Sequence, residues 1–370
     1  MKYILPVLTL ISGLGVLLAQ DHQIPKPPHP PVIAQEVKLP EGEMAPEKVL
    51  TATNAGERRD WGHANLRVEE AQKLATGKGV LVAVIDTGID QDHPDLKGGV
   101  TESKDFTGSR SGSADVQGHG THCAGIIGAR RNDVGIVGVA YDCQLLNLKC
   151  LGDNGSGSDL GIANAIDYAV EKKVHVISGS LGSDQPSQRI IDAVNRALRA
   201  GIICVFAAGN SGPGEGTVGW PGAMPGVICV AATDKGDVVA RFSSRGRQVL
   251  IAAPGVQIDS TYPGGRYALL SGTSMATPYV SGIAALYVER CEKAGVKWDG
   301  AGFAKAMTET AKDLDPPGRD TATGFGLIQP VKLLESVKGD TPQPPTPPGK
   351  GFTGSITYVY RDGVLIEVKK

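Results

Sequence analysis

Val80-Leu81-Val82-Ala83-Val84-Ile85-Asp86 is a continuous apolar run that stops at a carboxylate, and Thr87-Gly88 turns the chain away from it. A strand with one face in water would alternate apolar and polar residues, whereas an unbroken run calls for burial on both faces. The pattern repeats outward from there. Gln144 to Leu151, Val174 to Gly179, Ile202 to Ala208, Val227 to Ala232 and Val249 to Ala253 read as strands; His119 to Arg130, Gly161 to Lys172, Gln188 to Ala200 and Met275 to Glu289 read as helices. Strand and helix in alternation predict an α/β fold, a mostly parallel twisted sheet with helices on both faces. Working residues in such sheets gather where strands end at their carboxyl edge, and Asp86, Ser180 and Asn210 each stand at the end of an apolar run.

The chain has 370 residues and 41% apolar content, enough for one large domain with appendages. Its 37 basic and 39 acidic residues nearly cancel, leaving a net charge of -2 that excludes binding of nucleic acid or an anionic membrane by bulk charge. Met1-Lys2 followed by the apolar stretch Tyr3 to Ala19 reads as a secretory signal peptide. Its roughly 16 apolar positions fall short of the ~20 that a spanning helix needs, so no stable membrane insertion is expected after cleavage. The sequence then divides into 20–56, a short proline-rich pro or linker segment; 57–337, the main domain; 338–351, a proline-rich linker; and 352–370, whose Arg361-Asp362-Gly363 between two apolar stretches reads as a β-hairpin tail. Of the six cysteines, Cys204 and Cys229 lie inside strand-like runs, where a thiol serves as a small hydrophobe. Cys143 and Cys150 stand on one extended segment, ~23 Å apart if straight, too far for a bridge.

Three phrases carry chemistry. Gly272-Thr273-Ser274-Met275-Ala276 sets a hydroxyl among small residues at a helix start, where free backbone N–H groups face outward. Gly118-His119-Gly120-Thr121-His122 offers an imidazole between two glycines, the usual general base near neutral pH. Asp86 supplies a carboxylate to orient it. Asn210, in Ala207-Ala208-Gly209-Asn210, is an amide suited to donate to an oxyanion. All seven histidines precede Ser274, so the Ser, Asp, His order of α/β-hydrolases cannot be built. A metal pair of His119 and His122 would want a third ligand and a glutamate base, and no His-Glu-x-x-His pattern is present. An aspartic protease would show a second Asp-Thr-Gly or Asp-Ser-Gly, and there is none.

Asp-Thr-Gly-Ile-Asp (86–90), Gly-His-Gly-Thr-His (118–122), Ala-Ala-Gly-Asn (207–210) and Gly-Thr-Ser-Met-Ala-Thr-Pro (272–278), in this order, resemble the subtilisin family of serine peptidases over about three quarters of the chain, Trp61 to Val337. The resemblance implies Asp86, His119 and Ser274 as catalytic triad and Asn210 with the Ser274 N–H as oxyanion hole. It also implies that Gly155, Ser156, Gly157 and Ser180, Leu181, Gly182 clamp an extended peptide as an added strand, and that Gly219 floors the pocket beside the cut bond. An open floor favours large apolar or aromatic side chains there. Asp159 falls near a more distant subsite, where a preference for a basic residue is expected. Structural Ca²⁺ is implied at Asp95 and Asn132 with the carbonyls of Arg130, Val134 and Ile136, hard oxygen ligands of the type this ion takes. Cys123, directly after His122, is similar to the proteinase K-like branch, for which a mercurial is expected to disturb His119. One departure stands out: only about 40 residues separate Ala19 from Trp61, short for the folded propeptide that secreted members carry.

The expectation is a secreted, monomeric, zymogen-type serine endopeptidase acting on protein or peptide substrates. A maturation peptidase dedicated to one partner and a catalytically silent scaffold of the same fold stand as alternatives.

Overall fold

In the computed structural model the strands are β1 (Glu36–Lys38), β2 (Lys48–Leu50), β3 (Leu81–Asp86), β4 (Val100–Asp105), β5 (Gln144–Lys149), β6 (Ser156–Ser158), β7 (Val176–Gly179), β8 (Ile203–Ala207), β9 (Ile228–Thr233), β10 (Ile251–Pro254), β11 (Ile258–Tyr262), β12 (Arg266–Leu270), β13 (Ile356–Arg361) and β14 (Val364–Lys369). The helices are α1 (Trp61–Asn65), α2 (Val68–Ala71), α3 (His119–Gly128), α4 (Asp159–Glu171), α5 (Gln188–Arg199), α6 (Thr273–Ala294), α7 (Gly300–Thr310) and α8 (Pro330–Ser336). The structure describes residues 36–38, 46–50, 56–314, 316–338, 356–361 and 364–369. The signal stretch 1–19, most of 20–56 and all of the 338–351 linker except Lys338 lie outside them.

Seven strands form the central sheet in the order β10-β9-β8-β7-β3-β5-β4, all paired in parallel. Alternation within β3 explains its unbroken apolar run. Val82 and Val84 enter the core that α3 and α6 cover, while Ala83 and Ile85 enter the opposite core beneath α4 and α5. Each such Val or Ile contributes about 1.5–3 kcal/mol relative to exposure, so a polar residue on either face would be costly. The chain leaves β3 toward β4 and β5 on one side and returns as β7 and β8 on the other. That reversal opens a crevice at the carboxyl ends, where Asp86, Ser180 and Asn210 stand.

Strand and helix boundaries expected from the sequence hold to within a few residues, with α6 the main exception. It runs on to Ala294 because half-buried Arg290 and exposed Glu292 and Lys293 continue it as a polar turn until Gly295 takes a left-handed φ of 68°. The β11–β12 hairpin has no apolar run long enough to announce it, yet its register from Ile258↔Leu270 to Tyr262↔Arg266 closes the core beneath α3. Two pieces of the 20–56 segment are strands on the main domain. β1 pairs antiparallel with β6, and β2 pairs antiparallel with β12 through Leu50↔Tyr267. β13 and β14 pair antiparallel from Ile356↔Lys369 to Arg361↔Val364; the Asp362-Gly363 turn lies outside the described residues.

Candidate active site

Asp86 closes β3 with its carboxylate 1% exposed, and its Oδ1 accepts hydrogen bonds from Thr87 N at 2.7 Å and His119 Nδ1 at 2.8 Å. The glycines around His119 are steric requirements. A Cβ on Gly120 would strike the Gly88 carbonyl, and one on Gly118, where φ is 108°, would strike the Tyr262 ring. With both absent, the first turn of α3 settles against the Asp-Thr-Gly turn, and His119 meets Asp86 as its first helical residue. Burial opposes a charged imidazole here, but Asp86 and, more weakly, Cys123 outweigh it, holding the His119 pKa well above 6.5. His122 is a different case. Its Nε2 donates to the Ile258 and Ala268 carbonyls at 3.0 Å each, and burial pushes its pKa down to about 4. It is a neutral residue pinning the β11–β12 hairpin, not half of a metal pair with His119.

Ser274 is the second residue of α6, fully buried, its Oγ 3.4 Å from the Ser180 carbonyl. Ser180 returns a hydrogen bond from its own Oγ to the Ser274 carbonyl at 2.9 Å, tying the end of β7 to the helix start. Asn210 is oriented by its neighbour in sequence to the serine: Oδ1 accepts from Thr273 N at 3.1 Å and Thr273 Oγ1 at 3.0 Å. The amide oxygen is thereby fixed as the acceptor of this contact, with Nδ2 as the donor end of the amide. Cys123 Sγ lies 3.9 Å from His119 Nδ1 and 3.5 Å from the Ser274 carbonyl. Asp86, His119 and Cys123 thus offer oxygen, nitrogen and sulfur within 4.8 Å of one another, a set matched to a thiophilic cation. All six cysteines are buried free thiols.

Residues 156 and 157 lie in β6, and residues 180–182 follow β7. Gly157 must be glycine, since a Cβ there would run into the Cys150 carbonyl, and Gly155 has a φ of 78°. Val37 of β1 lies opposite Gly157 and is 1% exposed, packed into the apolar cluster that includes Leu151, Ile162 and Leu181. Gly219 hydrogen-bonds through its N–H to the Ala208 carbonyl, and a Cβ there would stand 3.4 Å from the Ser183 carbonyl. Asp159 corrects an expectation: it is 1% exposed, accepts from Ser187 Oγ at 2.9 Å and pairs with Arg189 Nη1 at 3.1 Å. Its charge is spent inside the protein, which removes the ground for a basic preference at that subsite.

The expected calcium residues converge. Asp95 is fully buried; its Oδ2 accepts from Ile136 N at 2.8 Å and Tyr267 Oη at 3.0 Å, and its Oδ1 meets Asn132 Nδ2 at 3.3 Å. Arg130 N donates to the Asp95 carbonyl, and Asn132 Oδ1 accepts from Val134 N, so the loop folds back on Asp95. Asn132 Nδ2 is shared at long range between Pro94 O and Asp95 Oδ1; turned over, the amide would add a third oxygen at that spot. The donor set fits a hard cation. Glu57, the first residue of the expected main domain, holds the same loop by accepting from Asn132 N and Asp133 N.

The model of the subtilase family matches residues 77–326. The chain belongs to the subtilase family. It is 45% identical over 231 residues to a thermostable alkaline protease of Halalkalibacterium halodurans, a match covering 62% of this chain and 63% of that protein. Subtilisin Savinase of Lederbergia lenta is 40% identical over 72% of this chain and 96% of its own length, and thermitase of Thermoactinomyces vulgaris 39% identical over 72% and 93%. This subtilase is a serine endopeptidase, a hydrolase of protein or peptide substrates. Among its described residues no helix is long and apolar enough to cross a membrane.

Proposed function

We propose that this subtilase cuts peptide bonds with Ser274 as nucleophile, His119 as general base and acid, Asp86 as the group that orients His119, and Asn210 with the Ser274 N–H as oxyanion donors. The observation that carries the reading is the buried 2.8 Å bond between His119 Nδ1 and Asp86. With Nδ1 engaged, Nε2 takes the Ser274 Oγ proton as Oγ attacks the carbonyl, and returns it to the leaving amine. Water, deprotonated by the same nitrogen, then releases the acyl group. Asn210 Nδ2, aimed by Thr273, meets the oxyanion of each tetrahedral intermediate.

The substrate lies antiparallel along β6, and its side chain before the cut bond enters the pocket at Gly219, where large apolar and aromatic groups are accepted. The lack of a side chain at Gly219 supports this, because a bulkier residue there would take up that depth. The enzyme is exported by its Met1–Ala19 stretch and acts extracellularly as a monomer. It is made as a zymogen: β1 occupies the β6 edge that a substrate would use, and Glu47 holds Gln257 Nε2 at 3.2 Å on the other side of the leader. Calcium is held by Asp95, Asn132 and the carbonyls of Arg130, Val134 and Ile136, where it locks the loop after α3.

Fluorophosphonate labelling in calcium buffer tests the chemistry. Labelling of the wild type that vanishes in Ser274→Ala is expected; persistent labelling of that variant overturns the serine assignment. Chelation tests the ion. A site held at about a hundred times its Kd adds about 2.7 kcal/mol, or roughly 5 °C in a domain of this size, and an unchanged melting temperature after chelation excludes it.

A further inference from the structure

The sequence places a second carboxylate, Asp115, just before the His119 motif, and nothing in the triad reading uses it. It is 4% exposed, and both its oxygens are filled. Oδ1 accepts from Thr87 Oγ1 at 3.0 Å, Gln117 N at 3.0 Å and Gly118 N at 2.8 Å. Oδ2 accepts from Thr121 N at 2.9 Å and Thr121 Oγ1 at 2.6 Å. The Thr87 hydroxyl that donates to Asp115 also accepts from Gly120 N at 2.9 Å.

The local reason is the left-handed Gly118. A glycine N-cap has no side chain of its own to satisfy the free N–H groups of α3. Asp115 supplies the missing acceptor at the positive end of the helix, and through Thr87 it reaches the turn that directly follows Asp86. Lys149, fully buried, grips Thr87 from the other end by donating its Nζ hydrogen to the Thr87 carbonyl, while pairing with Asp153 at 3.1 Å. The two backbones that carry Asp86 and His119 are therefore joined by a clasp of their own, besides the His119–Asp86 bond itself.

We infer that Asp115, acting through Thr87, is a positioning residue that sets the approach of His119 to Asp86. This rests on the proposed roles of Ser274, His119 and Asp86. The clasp touches no substrate, so its loss slows turnover and leaves substrate affinity alone. Misplacement of a catalytic group by about 1 Å can cost on the order of 100-fold.

The test compares Thr87→Val, Thr87→Ser and Asp115→Asn with wild type on a chromogenic peptide, with active molecules counted by fluorophosphonate titration. Thr87→Val keeps the shape and removes the hydroxyl; Thr87→Ser restores it. Expected are a kcat reduced 10- to 100-fold in Thr87→Val and Asp115→Asn per titrated site, KM within about twofold, and recovery to within about threefold in Thr87→Ser. Wild-type kcat per titrated site in both Thr87→Val and Asp115→Asn overturns the inference, as does a Thr87→Ser enzyme no better than Thr87→Val. If Asp115→Asn does not fold, the threonine pair decides alone. Ser274→Ala and His119→Ala run in parallel separate the two ideas: turnover surviving in these two removes the triad reading, whereas its loss there with an unimpaired Thr87→Val removes the clasp.

Discussion

Among the described residues, two buried histidines bond through Nδ1 to an aspartate: His119 to Asp86 at 2.8 Å, and His63 to Asp60 at 3.0 Å. In both pairs the second carboxylate oxygen has no partner among the described residues. Both are also served by α6, which carries Ser274 at its start and Tyr279 one turn later. The difference lies in where the hydroxyl goes. Tyr279 donates to Asp60 Oδ1 and lies 3.2 Å from His63 Nδ1, so it meets the atoms already bonded, and His63 Nε2 has no hydrogen-bond partner among the described residues. Asp60 also caps α1 by accepting from His63 N at 2.9 Å, which makes its pair a device of one helical turn. A histidine–aspartate bond is thus not chemistry in itself. In the proposed mechanism it becomes so where α6 brings the Ser274 hydroxyl and the loop after β8 brings the oriented Asn210 amide.

Substituting the two aspartates in turn gives the widest contrast. Asp86→Asn removes the partner that fixes the His119 tautomer, and kcat is expected to fall by on the order of 10⁴-fold with the fold intact. Asp60→Asn is expected to leave kcat within about twofold and to lower the melting temperature, because a buried hydrogen-bonded carboxylate costs about 1–3 kcal/mol to disrupt. Steady-state kinetics beside thermal unfolding reads both, and comparable kcat losses in the two variants would erase the distinction.

The pH dependence sharpens it. The proposed base works unprotonated, and the His119 pKa is raised, so activity must appear as pH climbs through a value above 6.5. The acid limb of kcat/KM is expected to have its midpoint above 6.5 in the wild type. In Asp86→Asn, with the main raising influence gone and burial left to act, the residual activity should rise at lower pH. A limb that does not move would show that Asp86 is not what holds the proton on His119.

Much of the proposed site was legible because its parts sit in short phrases punctuated by glycine. Gly118 and Gly120 are there for clearance that a tight His119–Asp86 approach demands, and a sequence displays such a need directly. The supports were not legible. Asp60 and Tyr279 lie 219 positions apart, and nothing near Asp159 announces that Arg189 cancels its charge. β1 and β2 are three residues each in a proline-rich stretch, too short to show a period; their strand form comes from the edges of β6 and β12. Local pattern exposes what a backbone must do, while pairings set by the folded surface leave no trace in it.

The smallest effect belongs to the non-catalytic pair and appears in acid. Burial works to raise the Asp60 pKa, but the hydrogen bond and charge of His63, together with the Tyr279 hydroxyl, outweigh it and hold the carboxyl below 3.8. A carboxyl lowered in the folded state stabilises the protein fully above its unfolded pKa, and that contribution is lost as pH falls through the folded value. Asp60 should therefore add to the fall in melting temperature below about pH 4, with no effect on its slope between pH 5 and 8. Melting curves in a Ser274→Ala background, which suppresses self-digestion, should show a shallower acid decline for Asp60→Asn, with Tyr279→Phe between it and the parent. Identical slopes for parent and Asp60→Asn between pH 4 and 2 would mean that the Asp60 carboxyl titrates alike in the folded and unfolded chain. His63 would then be a packed ring beside an ordinary helix cap, and the likeness between the two pairs would end at their geometry.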